Sequence, residues 1–357
     1  MNPESQAFLQ RLLNAPGPSG FERAPARVWR AEAETFADEV DLDLTGNSYA
    51  IVRAAGNAAD AKTVMIAGHI DEIGFIISHV DEQGFLWFLP LGGWDEQVVV
   101  GQRLRILGTD GDVIGVIGKK AAHLLRPEDR EKPTQLKDMW IDIGASSRAE
   151  ALTRVDVGCC AVIDADFVQL TDDRCVSRSM DNRVGAFVAL EAARLVAKSR
   201  AAVNVVAVAT AQEENAFAGA FTASHRLDPM VGIAVDVTHA TDYPGADKPR
   251  NGEVTIGGGP VITRGATLSA VVFDGLKEAA KRLDIPAPLQ GTGNSSGTDA
   301  DAMIKSGHGC ATGLVSIPNR YMHSPNEVVS LQDLVNASRV IAEFIAGITP
   351  ESEFRPI

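Results

Sequence analysis

Three short segments place acid or imidazole groups where an apolar run stops. TVMIAG (63–68) runs into His69-Ile70-Asp71, the run from Val203 to Thr210 into Glu213-Glu214, and the run from Gly232 to Val235 into Asp236. A fourth apolar run, Gly313 to Ile317, leads to Tyr321-Met322-His323-Ser324, and Ser179-Met180-Asp181-Asn182-Arg183 directly precedes a helical pattern. Two imidazoles among several carboxylates suit a borderline-soft divalent cation such as zinc. One catalytic cation needs three protein ligands. His69, Asp181, Glu214, Asp236 and His323 are enough for two cations sharing a carboxylate. The formal charges balance: two dications against Asp181, Glu214, Asp236 and a bridging hydroxide. Glu213 is then left over as a general base.

Taken singly, each residue has an ordinary explanation. A lone histidine is usually structural, and the chain has seven. His79 in a β-type run, His225 in a helix and His123 in a polar loop read as structural. His239 and His308 read as neighbours of the site. Asp181 could cap the helix that follows it, and Glu213-Glu214 could be a solvated turn. What favours chemistry is the recurrence of such groups at strand exits, because α/β sheets bind ligands beyond the carboxyl ends of their strands.

The elements that must gather residues 69 to 323 are legible. Glu22 to Ala37 reads as a helix, with Pro25 in its first turn. Tyr49–Arg53 and the unbroken apolar TVMIAG read as strands, the second covered on both faces. From Asp71 to Leu170, short β-type runs (GFIISHV, GFLWFLP, RLRILG, DVIGVIG, CCAVID) alternate with Gly- and Asp-rich turns, as in a small all-β barrel. Beyond it, helical patterns at Val184–Lys198, Phe221–Arg226, Val271–Leu283 and Leu331–Ile345 alternate with strands at 203–210, 232–237 and 313–317. The spacing predicts an α/β fold, a mixed sheet covered by helices. Residues 1–70 and 171–357 would form it, with residues 71–170 inserted as the β-barrel.

Composition narrows the function. A chain of 357 residues is long enough for two domains, and 45% hydrophobic with 22% charged residues is ordinary for a globular protein. The net charge is −14 and no basic run stands out, which argues against a phosphate-tracking nucleic-acid surface. No apolar stretch is long enough to cross a bilayer, and MNPESQAFLQRLLNAPG lacks the basic start and apolar run of a signal peptide. Cys159, Cys160, Cys175 and Cys310 fit neither a zinc finger nor a disulfide framework. Reduced cysteines and a cytoplasmic location are the expectation.

The ordered set APGPSGFE, GHIDEIGF, MDNRVG, QEENAFAGA, VDVTHATD, SSGTDADA and RYMHSPNE, running over almost the whole chain, resembles the tetrahedral (TET) aminopeptidases. This is the glutamyl-aminopeptidase family of co-catalytic metallopeptidases, metallopeptidase family forty-two. The resemblance implies a phosphorylase/hydrolase-like peptidase fold. It pairs His69 with Asp236 on one cation and His323 with Glu214 on the other, with Asp181 shared. Asp71 would orient His69, Glu213 would be the base, and a cis peptide would follow Asp181. Two zinc ions per subunit are implied, with cobalt or manganese as alternatives. The barrel would mediate dimerisation, and dimers would build a dodecamer. The chain departs from the family pattern at Asn215-Ala216, where Val-Gly is usual, and at Asn294-Ser295-Ser296.

The expected function is removal of N-terminal residues from peptides. The alternatives are an amidohydrolase or deacylase of small N-acyl metabolites on the same scaffold and, less favoured, a glycoside hydrolase such as an endoglucanase. The last needs two carboxylates flanking one bond, and adjacent Glu213 and Glu214 on an extended segment would point apart.

Overall fold

A computed structural model describes residues 1–57, 61–126 and 132–356. Its centre is an eight-stranded mixed sheet. In chain order the strands are β1 (Glu39–Leu42), β2 (Ser48–Val52) and β3 (Thr63–His69). The next six, β4 (Gly74–Val80), β5 (Leu86–Leu91), β6 (Arg103–Leu107), β7 (Asp112–Lys119), β8 (Met139–Asp142) and β9 (Cys160–Ile163), form a separate closed antiparallel barrel. After β10 (Val168–Gln169) and β11 (Arg174–Ser177), the chain returns to the large sheet. There it contributes β12 (Asn204–Thr210), β13 (Val231–His239), β14 (Val261–Gly265), β15 (Leu289–Thr292) and β16 (Ala311–Asn319). A final β17 (Glu327–Ser330) completes a small sheet with β10 and β11.

The large sheet has the order β1-β2-β12-β3-β13-β16-β14-β15. Its middle four strands, β12, β3, β13 and β16, run parallel, so their carboxyl ends share one edge. Both faces are covered, which explains the unbroken apolar runs. Along β3, Val64 and Ile66 join the core under helices Pro3–Asn14, Arg23–Ala33, Met180–Ser199, Ala270–Arg282 and Leu331–Ala346. Met65 and Ala67 join the opposite core against helix Ala218–Leu227. The same alternation of period two holds along β12 and β13.

The barrel follows the alternating rule on one face only. Val113 and Ile117 of β7 point into its core with Phe75, Phe88, Leu104 and Ile141, while Ile114 and Val116 face outward and are exposed. Five of its six strands coincide with the β-type runs of the sequence. The sixth, β8, is a four-residue strand, Met-Trp-Ile-Asp, too short to show a period. The three-stranded sheet of β10, β11 and β17 is also absent from the sequence reading, because β10 has only two residues and β11 pairs with β17 across 150 residues or more of chain. All four cysteines are free. Among the described residues no helix is long and apolar enough to cross a membrane.

Candidate metal centre

The register of the parallel strands builds the site. Thr210 of β12 lies opposite His69 at the end of β3. On the other side, Ala67 pairs with Ala234, so His69 and Asp236 each lie two residues further along neighbouring strands and project from the same face. β13 continues to His239, so Asp236 lies inside the strand and not, as the sequence suggested, at its end.

Asp181 arrives from the opposite face. Helix Met180–Ser199 rests on the sheet through glycines: a Cβ on Gly68 would lie 2.3 Å from the Gly185 carbonyl carbon, and one on Gly185 would lie 2.4 Å from the Val235 oxygen. Asn182 fixes this junction, donating to the Val235 carbonyl at 2.8 Å and accepting from Gly185 N–H at 3.0 Å. Asp181 and Asn182 are non-helical, the peptide between them is cis, and the Asp181 carboxylate turns into the site rather than capping the helix.

Glu213 and Glu214 sit on one helical turn, Glu213–Ala216, entered through Gln212 in the left-handed conformation (φ 58°). The expectation that their side chains diverge is therefore corrected. A carboxylate oxygen of each lies, with an imidazole nitrogen of His69, in a group whose atoms are all within 4.8 Å of one another. Asp71 orders the turn, its two oxygens accepting from Glu213 N–H and Glu214 N–H, each at 3.2 Å. Asp71 Oδ1 also lies 3.3 Å from His69 Nδ1, at ion-pair range but outside hydrogen-bond alignment.

Asp181 is the centre of the arrangement. Its Oδ1 lies 3.1 Å from His69 Nε2, and its Oδ2 lies 3.3 Å from His323 Nε2. His323 Nε2 is also 3.5 Å from Glu214 Oε1. Two three-residue groups result, His69/Asp181/Asp236 and Asp181/Glu214/His323, joined by the one aspartate. Glu213 Oε2 stands 3.7 Å from His69 Nε2.

Crowding acids in a buried place has an electrostatic cost. Burial, then the charges of Asp236, Asp299 and Glu214, push Glu213 up to about 10 against the pull of His69. Burial raises Asp236 and Glu214 too, with the Asp181 charge adding to each. Burial opposes charge on His323, yet its contacts with Asp181 and Glu214 lift it to about 11. For Asp181 burial works upward, and the bonds to His323 and His69 outweigh it and hold its carboxyl low. An acid-rich cluster of N and O donors, grouped in threes around a shared carboxylate, fits two dications by its donor chemistry.

A cavity of about 460 Å³ opens over these residues, lined also by Gly93, Asn215, Phe217, Thr238, His239, Ser296, Thr298 and Met322. The barrel reaches it through the loop after β5. There Gly92 (φ 77°) has no room for a side chain, since its Cβ would lie 2.5 Å from Ile73 Cγ2, with Glu214 Oε2 at 3.2 Å. Asn215 anchors that loop, its Oδ1 accepting from Gly92 N–H at 3.3 Å. His239 lines the cavity as expected. His308 does not: it is exposed and pairs with Asp228, because it precedes β16 and so lies at the strand's amino edge, opposite the site.

The family model for the M42 glutamyl aminopeptidases matches residues 47–340. The chain belongs to this family. It is 32% identical to the lysyl aminopeptidase of Pyrococcus furiosus over 354 residues, 98% of this chain and 99% of that one. The TET aminopeptidase of the marine sediment archaeon Thaumarchaeota archaeon SCGC AB-539-E09 superposes with a TM-score of 0.92 at 34% identity, covering 98% of this chain and 97% of its own. The Pyrococcus horikoshii TET1 peptidase, described as assembling into a tetrahedron or a large octahedral shell, matches with a TM-score of 0.85 at 26% identity, covering 96% and 100%. As a member of the M42 family the protein is an aminopeptidase, a hydrolase acting on peptides, with the mixed-sheet fold of the TET peptidases. The family is metal-dependent.

Two M42 motifs carry more than the sequence reading took from them. Arg183 of MDNRVG is fully buried and donates to the carbonyls of Leu12, Leu13, Ala15, Gly17 and Ile70 and to Glu72 Oε1. Arg178 closes on the same Glu72 carboxylate at 2.6 and 2.8 Å. Asp299 of GTDA is buried and accepts from Thr210 Oγ1 at 2.5 Å. Their local segments, SRSMDNR and SSGTDAD, are polar, so no local pattern marked these residues as buried.

Proposed function

We propose that the protein is a two-cation aminopeptidase in which His69 and Asp236 hold one divalent ion, Glu214 and His323 the other, and Asp181 both. The observation that carries this reading is the Asp181 carboxylate, with one oxygen toward each imidazole. Zinc suits the donors best, and cobalt or manganese would be accepted by them. Such ions would polarise the scissile carbonyl and make a water acidic.

The protein's own residues do the rest. Asp71 holds the Glu213-Glu214 turn by two backbone N–H groups and stands beside His69 Nδ1, which favours Nε2 as the ring atom turned to the site. Glu213 has no place in the two groups joined through Asp181 and is the general base. It takes a proton from the attacking water and passes it to the leaving amine. Glu213, the one lining acid that the cations would leave unpaired, and the cations' open positions favour a free α-amine at a peptide's first residue over an N-acyl group, so a free amino terminus is the feature recognised. A cytoplasmic location is consistent with four free cysteines.

We further propose that the barrel, residues 71–170 with its linkers, is the surface through which the chain dimerises and builds a shell. Leu89, Ile114 and Val116 are outward-facing and exposed on it.

The test contrasts the two glutamates. Glu213→Gln keeps the shape and removes the basic site. It should leave two cations bound and lower kcat by about 10²–10⁴ on an aminoacyl arylamide. Glu214→Gln should instead weaken cation binding, with activity partly restored by added metal. Exchanged phenotypes would reverse the two roles, and full activity of Glu213→Gln would end the base assignment. Faster hydrolysis of N-acyl amino acids than of free peptides would favour the deacylase alternative.

A further inference from the structure

Glu327 is a buried carboxylate with no part in the mechanism above. It opens β17 and lies opposite Ser177 of β11. Its two oxygens go to two different cation-site residues. Oε2 accepts from the Asp181 N–H at 3.0 Å, and Oε1 accepts from the His323 N–H at 2.9 Å. No stretch of chain shorter than 140 residues links Asp181 to His323; beyond the β11–β17 pairing, which brings Ser177 opposite Glu327, this side chain bonds both backbones directly.

The local conformation explains why a clamp is needed. His323 (φ 58°) and Tyr321 (φ 64°) both occupy the left-handed region, which costs non-glycine residues roughly 1–3 kcal/mol each and persists only where surroundings impose it. The loop is closed at its base by reciprocal Arg320 and Val328 backbone bonds, at 3.1 and 3.0 Å. Within it the Glu327 carboxylate holds His323. Each carboxylate oxygen takes one backbone N–H, so the buried carboxyl is satisfied only when both segments are in place.

We propose that Glu327 is a positioning residue that sets the Asp181-to-His323 separation and so shapes the Asp181/Glu214/His323 site, while leaving the His69/Asp181/Asp236 site intact. The inference rests on the two-cation reading. Glu327 touches neither the ring of His323 nor the carboxylate of Asp181. It acts through their backbones, and the two residues it clamps are the pair that only the second site combines.

The experiment is cation binding by equilibrium dialysis against zinc or cobalt, with elemental analysis, on wild type and Glu327→Gln. Gln keeps the volume, but its amide nitrogen would face one of the two N–H donors, so it can accept only one bond. Wild type should bind two ions per chain. The variant should keep one at wild-type affinity and hold the other 10–100-fold more weakly, the usual effect of removing an outer support of a metal ligand. Amide hydrogen exchange on the cation-free proteins supplies a readout independent of activity. Asp181 and His323 N–H should be protected in wild type, and at least one should exchange faster in the variant. Should Glu327→Gln not accumulate as folded protein, Glu327→Asp, too short to span both donors, is read in the same way. Two ions bound with unchanged affinities in the variant, equal weakening of both sites, or rapid exchange of either amide in wild type would overturn the inference. A wild type that binds fewer than two ions would instead defeat the two-cation reading on which it rests.

Discussion

Replacing Glu22 by Gln should make the protein's stability less sensitive to pH, and the size of the effect follows from the site. Glu22 is 7% exposed, and one oxygen, Oε1, accepts from both Gly20 N–H at 2.6 Å and Gln212 N–H at 3.1 Å. Burial, then the charge of Asp71, raises its carboxyl from 4.5 to about 7, against the pull of those two donors. The folded protein therefore keeps a proton that the unfolded chain has already released. Stability contributed by this group is full below pH 4.5, falls as pH rises toward 7, and is level above that. A shift of that size corresponds to on the order of 3 kcal/mol at about 1.36 kcal/mol per unit. Gln offers the same single oxygen to both N–H groups and has no proton to lose. The difference between variant and wild type should thus move in the variant's favour by that amount between pH 4.5 and pH 8. With an unfolding entropy of about 2.1 cal/mol/K per residue over 357 residues, this is roughly 4 °C in melting temperature. Scanning calorimetry of both proteins at the two pH values measures it. An unchanged difference across that range would refute the argument that Glu22 is held neutral near pH 6 by burial and Asp71.

Three further outcomes are expected. Glu72→Gln leaves the buried guanidinium groups of Arg178 and Arg183 without their shared charge, and should cost about 3–5 kcal/mol in denaturant unfolding, the usual cost of breaking a buried pair; a cost below 1 kcal/mol would make the network dispensable. No lysine or arginine lines the cavity among the described residues, so with the cations balancing Asp181, Glu214 and Asp236 no basic side chain is left to pair with an acidic substrate side chain, and arylamides of leucine or lysine should exceed that of glutamate by at least about tenfold in kcat/KM; faster glutamate release would contradict this reading of the pocket. Light scattering should find an oligomer at micromolar concentration, and Ile114→Glu with Val116→Glu should lower its mass; a fully active monomer would remove the barrel's assigned role.

How far the sequence could be read depended on the length scale of each interaction. His69, Glu214, Asp236 and His323 stood out because chemistry-bearing types follow apolar runs whose ends parallel strands bring to one edge, and Asp181 because it directly precedes a helical pattern. The central strands and the long helices were legible for the same reason: covering both sheet faces demands unbroken apolar runs and a period near 3.6 beside them. Boundaries were less so. The expected helix to Ala37 stops at Ala33, where the chain tightens into turns. Glu213-Glu214 was read as extended because a left-handed Gln212, which starts the helical turn, leaves no mark on residue type. Glu327, Glu72 and Glu22 were invisible as a group, since each acts on a backbone group far away in sequence.

Those three glutamates explain how the fold tolerates its site. While His69 and Asp236 sit in strands, three of the segments bearing site residues pass through a left-handed residue other than glycine: Ser179 before Asp181, Gln212 before Glu213, and Tyr321 and His323 in the last loop. Such conformations persist only where neighbours over-determine them. Ser179 Oγ donates to the Leu13 carbonyl, in the same stretch that Arg183 and Glu72 tie down. Gln212 N–H is taken by Glu22 and His323 N–H by Glu327. The acids that face the cavity are thus backed by a second set of acids that face the backbone. The first set gains from cations. The second set gains from N–H donors and arginines, so it holds the segments in place before any ion binds. That division lets a repulsive cluster be built in advance of its counter-ions: the work of ordering the chain is done by groups whose hydrogen-bond partners are already in place.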